Sequence, residues 1–194
     1  ECAAGLHALA PGAALLRGFA RDAAPALLAA IDAIATDAPF RHLITPGGHT
    51  MSVATTSCGT LGRHSDEQGY RYTSRDPGSE RRWPAMPACF SAFAHAAAAR
   101  AGFPGFAPEA CLINRYVPGA RLTLHQDRNE RDYGAPIVSV SLGIPAVFLF
   151  GGLRRSEPTL KLRLVHGDVV VWGGPSRLRF HGVLPLAHAE HPLT

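Results

Sequence analysis

His125 and Asp127 stand two residues apart in the segment TLHQD. Residues i and i+2 of an extended strand leave the same face about 6 to 7 Å apart at the backbone, so this imidazole and carboxylate can converge on one ion. His181, in LRFHGV, lies 54 residues beyond Asp127, and antiparallel packing would return it beside that pair. Two imidazoles and one carboxylate on one triangular face leave three positions open on an octahedral metal, which suits non-haem Fe(II) and oxygen chemistry. H-x-D alone is a common pattern, and the competing reading is a surface strand end with a core histidine. The other histidines add little. His166 precedes Gly167-Asp168 and reads with Asp168 as a hairpin turn, His188 and His191 lie near Thr194, and His95 reads as a packing or surface residue.

The elements that must hold the three residues follow from a change of period. From Cys111 onward apolar residues alternate in CLINRYV, RLTLH, IVSVSL, AVFLF, LKLRLV, DVVVW and RLRFHGV, separated by the turns VPGA, HGD and GGPS. Seven short strands after two helices predict a β-sandwich or jelly roll carrying helices on one side. The first helix is expected over residues 22–36, with Asp22 as N-cap and Leu27, Leu28, Ile31 and Ile34 on its buried face. The second is expected to start after Pro87 and stop at Gly102. Between them, residues 40–85 carry TPGGHT, SCGTLG and SRDPGSE around strand-like pieces such as MSVATT, and read as a hairpin-rich cover. The uncharged stretch Pro136 to Leu153 is long enough to raise a membrane question, but Ser139, Ser141, Gly143 and Pro145 interrupt it. Two buried strands joined at a turn explain it better.

Composition fits one catalytic domain: 194 residues, 46% hydrophobic and 18% charged, with 16 Pro and 20 Gly, exclude a coiled coil or a charged disordered tail. The net charge is +4 with pI near 9.2, and every basic residue except Lys161 is arginine. So modest an excess permits a polyanionic partner without requiring one. Cys2, Cys58, Cys89 and Cys111 form no C-x-x-C pair, so a reducing, cytoplasmic setting is expected, and no signal peptide or membrane span is read. The chain begins at Glu1 rather than Met, which suggests an incomplete view of the gene product. A monomer is expected.

The ordered segments LINRYVPGARLTLHQDRNE, IVSVSLGIPAVFLFGG and HGDVVVWGGPSRLRFHGV resemble the AlkB family of Fe(II)- and 2-oxoglutarate-dependent dioxygenases. FRHLITPGGHTMSVATTSCGTLG, QGYRY and WPAMP extend the similarity over nearly the whole chain. The resemblance implies an α+β fold: a double-stranded β-helix (jelly roll) over residues 111–194, N-terminal buttressing helices, and a nucleotide-recognition lid over residues 40–85. It implies His125, Asp127 and His181 as iron ligands and catalytic residues, and Asn114 and Tyr116 as contacts to the cosubstrate 2-oxoglutarate. The family's final strand, bearing an asparagine and two carboxylate-binding arginines, is not in the chain, and an absent tail is expected to supply it. Arg177 and Arg179, flanking the strand of His181, are read as surface charges.

With molecular oxygen as the oxidant, the implied reaction is oxidative demethylation of alkylated bases of the 1-methyladenine and 3-methylcytosine type, a DNA repair by direct reversal that releases succinate, carbon dioxide and formaldehyde. A base must leave the stack to present its ring nitrogen, so single- or double-stranded DNA is the implied partner, with RNA as the alternative. Thr45, Met51, Arg63, Tyr70, Asn129 and Glu130 match substrate-contacting positions, and Arg71, Arg75, Arg81 and Arg82 can add phosphate contacts. Asp127 and Glu130 are expected to favour a cationic lesion. Two departures bear on that: Arg63 stands where the family pattern has a stacking tryptophan, and Asn129 where it has an acid. An arginine plane stacks on bases but repels a cationic one. Two other readings remain open, a 2-oxoglutarate dioxygenase acting on transfer RNA, a protein or a small molecule, and a non-catalytic jelly roll that binds nucleic acid.

Overall fold

The alternation after Cys111 is realised as strands that close on each other, but the fold starts earlier than the alternation does. The computed structural model describes residues 5–130, 132–190 and 192. In chain order the elements are β1 (Gly5–Ala10), β2 (Ala13–Arg17), α1 (Ala24–Asp37), β3 (Arg41–Ile44), β4 (Thr50–Gly59), β5 (Gly62–Asp66), β6 (Gly69–Thr73) and α2 (Ala88–Arg100). They continue with β7 (Ala110–Arg115), β8 (Leu122–His125), β9 (Ile137–Val140), β10 (Ala146–Phe150), β11 (Leu160–Leu164), β12 (Val169–Trp172), a 3-10 turn at Gly174–Ser176 and β13 (His181–Val183).

Two four-stranded antiparallel sheets, ordered β1-β2-β12-β9 and β11-β10-β13-β8, form the jelly roll. Leu15, Val170 and Trp172 of the first pack with Phe148, Phe150, Leu162 and Leu164 of the second. The intervening residues of the same strands, Leu16, Val169 and Val171, turn the other way and meet Leu27 of α1 and Ala97 of α2. β12 is therefore buried on both faces, which is why VVVW carries no polar residue except the indole nitrogen. The helices buttress one sheet as expected, and their larger side chains, fully buried, are worth about 2 kcal/mol each.

Several expectations need correction. The hairpin β1–β2 was not anticipated, although PG at residues 11 and 12 separates two apolar runs; β2 sits inside the first sheet, paired with β12. Asp22 does not cap α1. Arg21 N donates to the Gly18 carbonyl and Ala24 N to that of Arg21, a turn that delays the helix to Ala24, with Ala23 in the cap position and Pro25 in the first turn. Of the seven alternating segments after Cys111, β7 pairs with β4, giving the separate sheet β3-β4-β7. In RLRFHGV only His181–Val183 is strand, because Arg177 and Leu178 continue the turn that the 3-10 segment begins. α2 ends as expected, with Gly102 at φ +94° letting the chain leave the helix. The stretch from Pro136 to Leu153 holds β9 and β10, and no helix among the described residues is long and apolar enough to cross a membrane.

Candidate metal centre

β8 and β13 are neighbours in the second sheet, and their register places His181 directly opposite His125. Gly182 permits this approach: a Cβ there would lie 2.6 Å from the Leu122 carbonyl oxygen. The two imidazole centroids are 4.3 Å apart. Asp127, two residues past His125, turns its carboxylate toward both rings. Its Oδ1 is 3.7 Å from His125 Nε2 and its Oδ2 is 3.3 Å from His181 Nε2. All three ligand atoms lie within 4.8 Å of one another.

The remaining ring nitrogens fix the tautomers. Nδ1 of His125 donates to the Thr123 carbonyl at 2.8 Å, and Nδ1 of His181 to that of Arg179 at 3.1 Å. Each Nε2 is left facing the carboxylate, the ring atom that a metal between them would take. Burial, and then the charge of His181, lower the His125 pKa to about 4, so this ring is neutral at pH 7. Burial alone would raise the Asp127 pKa, but the two imidazoles and Arg63 outweigh it and hold the carboxyl ionised, well below its ordinary range. The Trp172 ring, 4.9 Å from His181, and the Phe148 ring, 6.1 Å from it, back this ligand with the apolar core.

Two imidazoles and one carboxylate fit a divalent ion. Ligands on adjacent corners of an octahedron with bonds near 2.1 Å stand roughly 3 Å apart, so the 3.3 and 3.7 Å separations need only a small contraction.

The hairpin β5–β6 reaches over this centre. Arg63 on β5 donates through Nη1 to Asp127 Oδ1 at 3.1 Å, while its guanidinium carbon lies 5.1 Å from the Tyr70 ring on β6. Asn129 donates to the Tyr70 carbonyl at 3.2 Å, and the Tyr72 hydroxyl to Glu130 Oε1 at 2.8 Å. Arg63, Tyr70, Asn129 and Glu130 are thus gathered at the triad. Thr45 and Met51 stand apart on the β3–β4 hairpin, where Thr45 receives the His49 amide and the Met51 carbonyl accepts from His42. Asn114, at the end of β7 opposite Thr55, is exposed, and Tyr116, just beyond it, is half-buried, its phenol pushed up to about 12 by burial. Arg71 is committed to Asp66 through two bonds of 2.7 and 2.6 Å, and Arg75 to the Glu80 carbonyl, so neither points unengaged at solvent. Asp168 is a turn residue as expected, 1% exposed, accepting from Arg17, Gly18 N and Val165 N.

Two expectations fail here. Arg177 is no surface charge: it is 4% exposed and donates to the Ala135 and Asp127 carbonyls. Arg179 is half-buried and donates to the Gly151 carbonyl and Ser176 Oγ. Nor are Asp127 and Glu130 free negative charge for a cationic base, since Arg63 stands against the first and Arg177 against the second. Tyr72 is a residue of this site that the sequence reading passes over, and Arg177 one that it reads as a surface charge. The available signals were faint: Tyr72 alternates with Tyr70 on one strand, and Arg177 precedes His181 by four residues.

The family model described as the 2OG-Fe(II) oxygenase superfamily matches residues 12–194. The chain belongs to that superfamily. Within it, the chain is 58% identical over 186 residues to a Salmonella typhimurium protein named alpha-ketoglutarate-dependent dioxygenase AlkB, covering 96% of this chain and 86% of that one. An Escherichia coli protein of the same name is 57% identical over 186 residues, with the same shares covered. Identity at that level places this chain in the AlkB family. Its fold superposes on a solved structure titled "The structure of OsALKBH1" with a TM-score of 0.83 at 28% identity, over 97% of this chain and 91% of that one. The alternation of β8 to β13 thus has the double-stranded β-helix form that the AlkB resemblance implies, and the α+β reading holds.

Proposed function

We propose that this AlkB-family dioxygenase removes methyl groups oxidatively from alkylated bases in nucleic acid, with Fe(II), 2-oxoglutarate and oxygen as its cofactors. The observation that carries the reading is the His125–Asp127–His181 face, assembled by the β8–β13 register beneath a hairpin that offers an arginine and two tyrosines. Iron with 2-oxoglutarate and oxygen, when bound, supplies the oxidising power that hydroxylates an N-methyl group; the product loses formaldehyde. His125, His181 and ionised Asp127 hold the metal, with Trp172 and Phe148 excluding water behind His181. Asn114, near the end of β7, and Tyr116, just beyond it, are the proposed contacts to 2-oxoglutarate.

For the substrate, Tyr70 and Arg63 offer flat surfaces to an unstacked base, and Thr45 and Met51 lie on the neighbouring hairpin for the strand that carries it. Because Asp127 and Glu130 already face arginines, and Asn129 is neutral, 1-methyladenine and 3-methylcytosine are proposed as substrates with a reduced preference for their cationic charge. DNA is the proposed partner and RNA the alternative, with repair of alkylation damage as the role. Residues 1–194 are read as one catalytic domain with residues 40–85 as its lid, acting as a monomer in the cytoplasm.

Full-length protein, loaded anaerobically with Fe(II) and 2-oxoglutarate and then given oxygen, tests this with methylated single-stranded DNA and methylated transfer RNA side by side. Formaldehyde equal to the repaired base establishes the demethylase. Succinate without formaldehyde leaves a dioxygenase of another substrate, and neither product refutes the reading.

A further inference from the structure

Arg177 carries one charge into the protein interior and places three nitrogens on one short segment. Nε donates to the Ala135 carbonyl at 3.0 Å and Nη1 to the Asp127 carbonyl at 3.1 Å. Nη2 stands 3.4 Å from Glu130 Oε2, an ion-pair distance at which that oxygen makes no hydrogen bond. The other Glu130 oxygen accepts from the Tyr72 hydroxyl at 2.8 Å. A guanidinium 4% exposed is costly to bury unless its donors are paired, and the partners here converge on the loop that begins with a metal-binding carboxylate. Arg177 itself lies four residues before His181 in the chain. It therefore bridges the two sides of the triad, one by covalent connection and the other by hydrogen bonds.

That bridge spans a separation the chemistry depends on, the 3.3 Å between Asp127 Oδ2 and His181 Nε2. Ligands must be held within about 0.5 Å of the productive arrangement. The short β13, three residues with a register irregularity after His181, cannot supply that rigidity to the Asp127 loop. A lysine would keep the charge, but a single ammonium cannot reproduce the planar fork.

We propose that Arg177 is a positioning residue that sets Asp127 against His181 in the metal centre, and that Glu130 and Tyr72 extend this control to the β5–β6 hairpin. Oligonucleotide on the hairpin and metal on the triad are then energetically coupled, each tightening the other. The inference rests on the triad being the metal site, and the experiment tests that separately.

The assay is anaerobic titration of full-length protein with Co(II), read by its visible absorption bands, with and without a single-stranded oligonucleotide containing 3-methylcytosine. Wild type should bind one equivalent and His125→Ala should not; binding by His125→Ala as in wild type overturns the triad, whatever Arg177 does. Arg177→Met should bind Co(II) about 10- to 100-fold more weakly, with shifted bands, as loss of groups that orient ligands does. Arg177→Lys should fall between. Tyr72→Phe should keep Co(II) affinity within about twofold without oligonucleotide and lose the tightening that oligonucleotide brings to wild type, again on the reciprocity of coupled sites. A folded Arg177→Met with wild-type affinity and bands overturns the proposal, even with a lowered Tm. Should Arg177→Met not fold, wild-type affinity and bands in Arg177→Lys overturn it. No tightening by oligonucleotide in wild type overturns the extension to the hairpin.

Discussion

Replacing Arg63 by methionine should move apo stability and metal affinity in opposite directions. Arg63 Nη1 and Asp127 Oδ1 are 3.1 Å apart, with side chains 15% and 14% exposed. Two unit charges at that distance attract by about 5 kcal/mol at an effective dielectric constant of 20. Desolvation of both groups removes most of this, leaving the about 1.5 to 3 kcal/mol typical of a hydrogen bond to a charged partner. The metal-free protein should lose roughly 2 kcal/mol, a Tm drop of about 4 to 8 °C in a chain of this size. The same Oδ1 faces His125 Nε2 across the site where the ion would sit. A divalent ion must displace the guanidinium from that oxygen or share the oxygen with a nearby positive charge. Without the arginine that competition disappears, and affinity should rise about tenfold, or 1.4 kcal/mol. Thermal denaturation in chelator gives the first quantity, and anaerobic calorimetric titration with Mn(II) gives the second. An affinity that falls along with the apo stability would refute the reasoning, because Arg63 would then be supporting the carboxylate for the metal.

Further outcomes follow from the same geometry. His125→Ala, Asp127→Ala and His181→Ala should each abolish formaldehyde release, since two ligands cannot hold the ion; full turnover by any one removes that residue from the triad. Arg63→Trp should tighten binding of a short single-stranded 3-methylcytosine oligonucleotide by about 1 kcal/mol or more, at the lower end of base-on-aromatic stacking, and unchanged fluorescence anisotropy would contradict the hairpin's place over the base. Gly182→Val should cost about 1 to 3 kcal/mol and weaken metal binding, as any Cβ there meets the Leu122 carbonyl oxygen at 2.6 Å; wild-type Mn(II) affinity would show that β8 and β13 have slack. Burial alone would raise the Asp76 pKa, but Arg41, Gly78 N and Ser79 Oγ outweigh it and hold the carboxyl below its ordinary value when folded. The unfolded chain therefore takes up this proton first. The contribution is complete above about pH 4 and is lost as pH falls further, through the folded pKa. Asp76→Asn should lower stability by about 2 kcal/mol at pH 7 and flatten the acid side of the stability profile; an unchanged profile assigns the acid sensitivity elsewhere.

Local order in this chain was legible wherever one period governs one element. The two-residue spacing of His125 and Asp127 put both on one face, the alternation from Cys111 marked the positions of seven strands, and Gly102 marked the end of α2. These follow from backbone geometry that a few neighbouring residues determine. Family resemblance added the expectation that His181 is the third ligand and that residues 40–85 form a lid. Partner choice was not local. Whether β7 joined the triad's sheet or β4, and whether β1–β2 belonged to the jelly roll, depended on which strand edges met, and alternation specifies a buried face without naming the strand beside it.

The sequence by itself determined the donor set: two imidazoles and a carboxylate, with the cationic Arg63 and neutral Asn129 nearby. Tertiary structure decided what those charges face. The same Arg type that is exposed at positions 81 and 82 is 4% exposed at 177, because the 3-10 turn before β13 aims it at the loop of Asp127 and Glu130. A charge enters a protein interior only where its partners are already gathered, and those partners lie 42 to 50 residues away in the chain. No short window of sequence contains that information; it arises only when β13 docks between β8 and β10 and brings Arg177 to the carboxylate it positions.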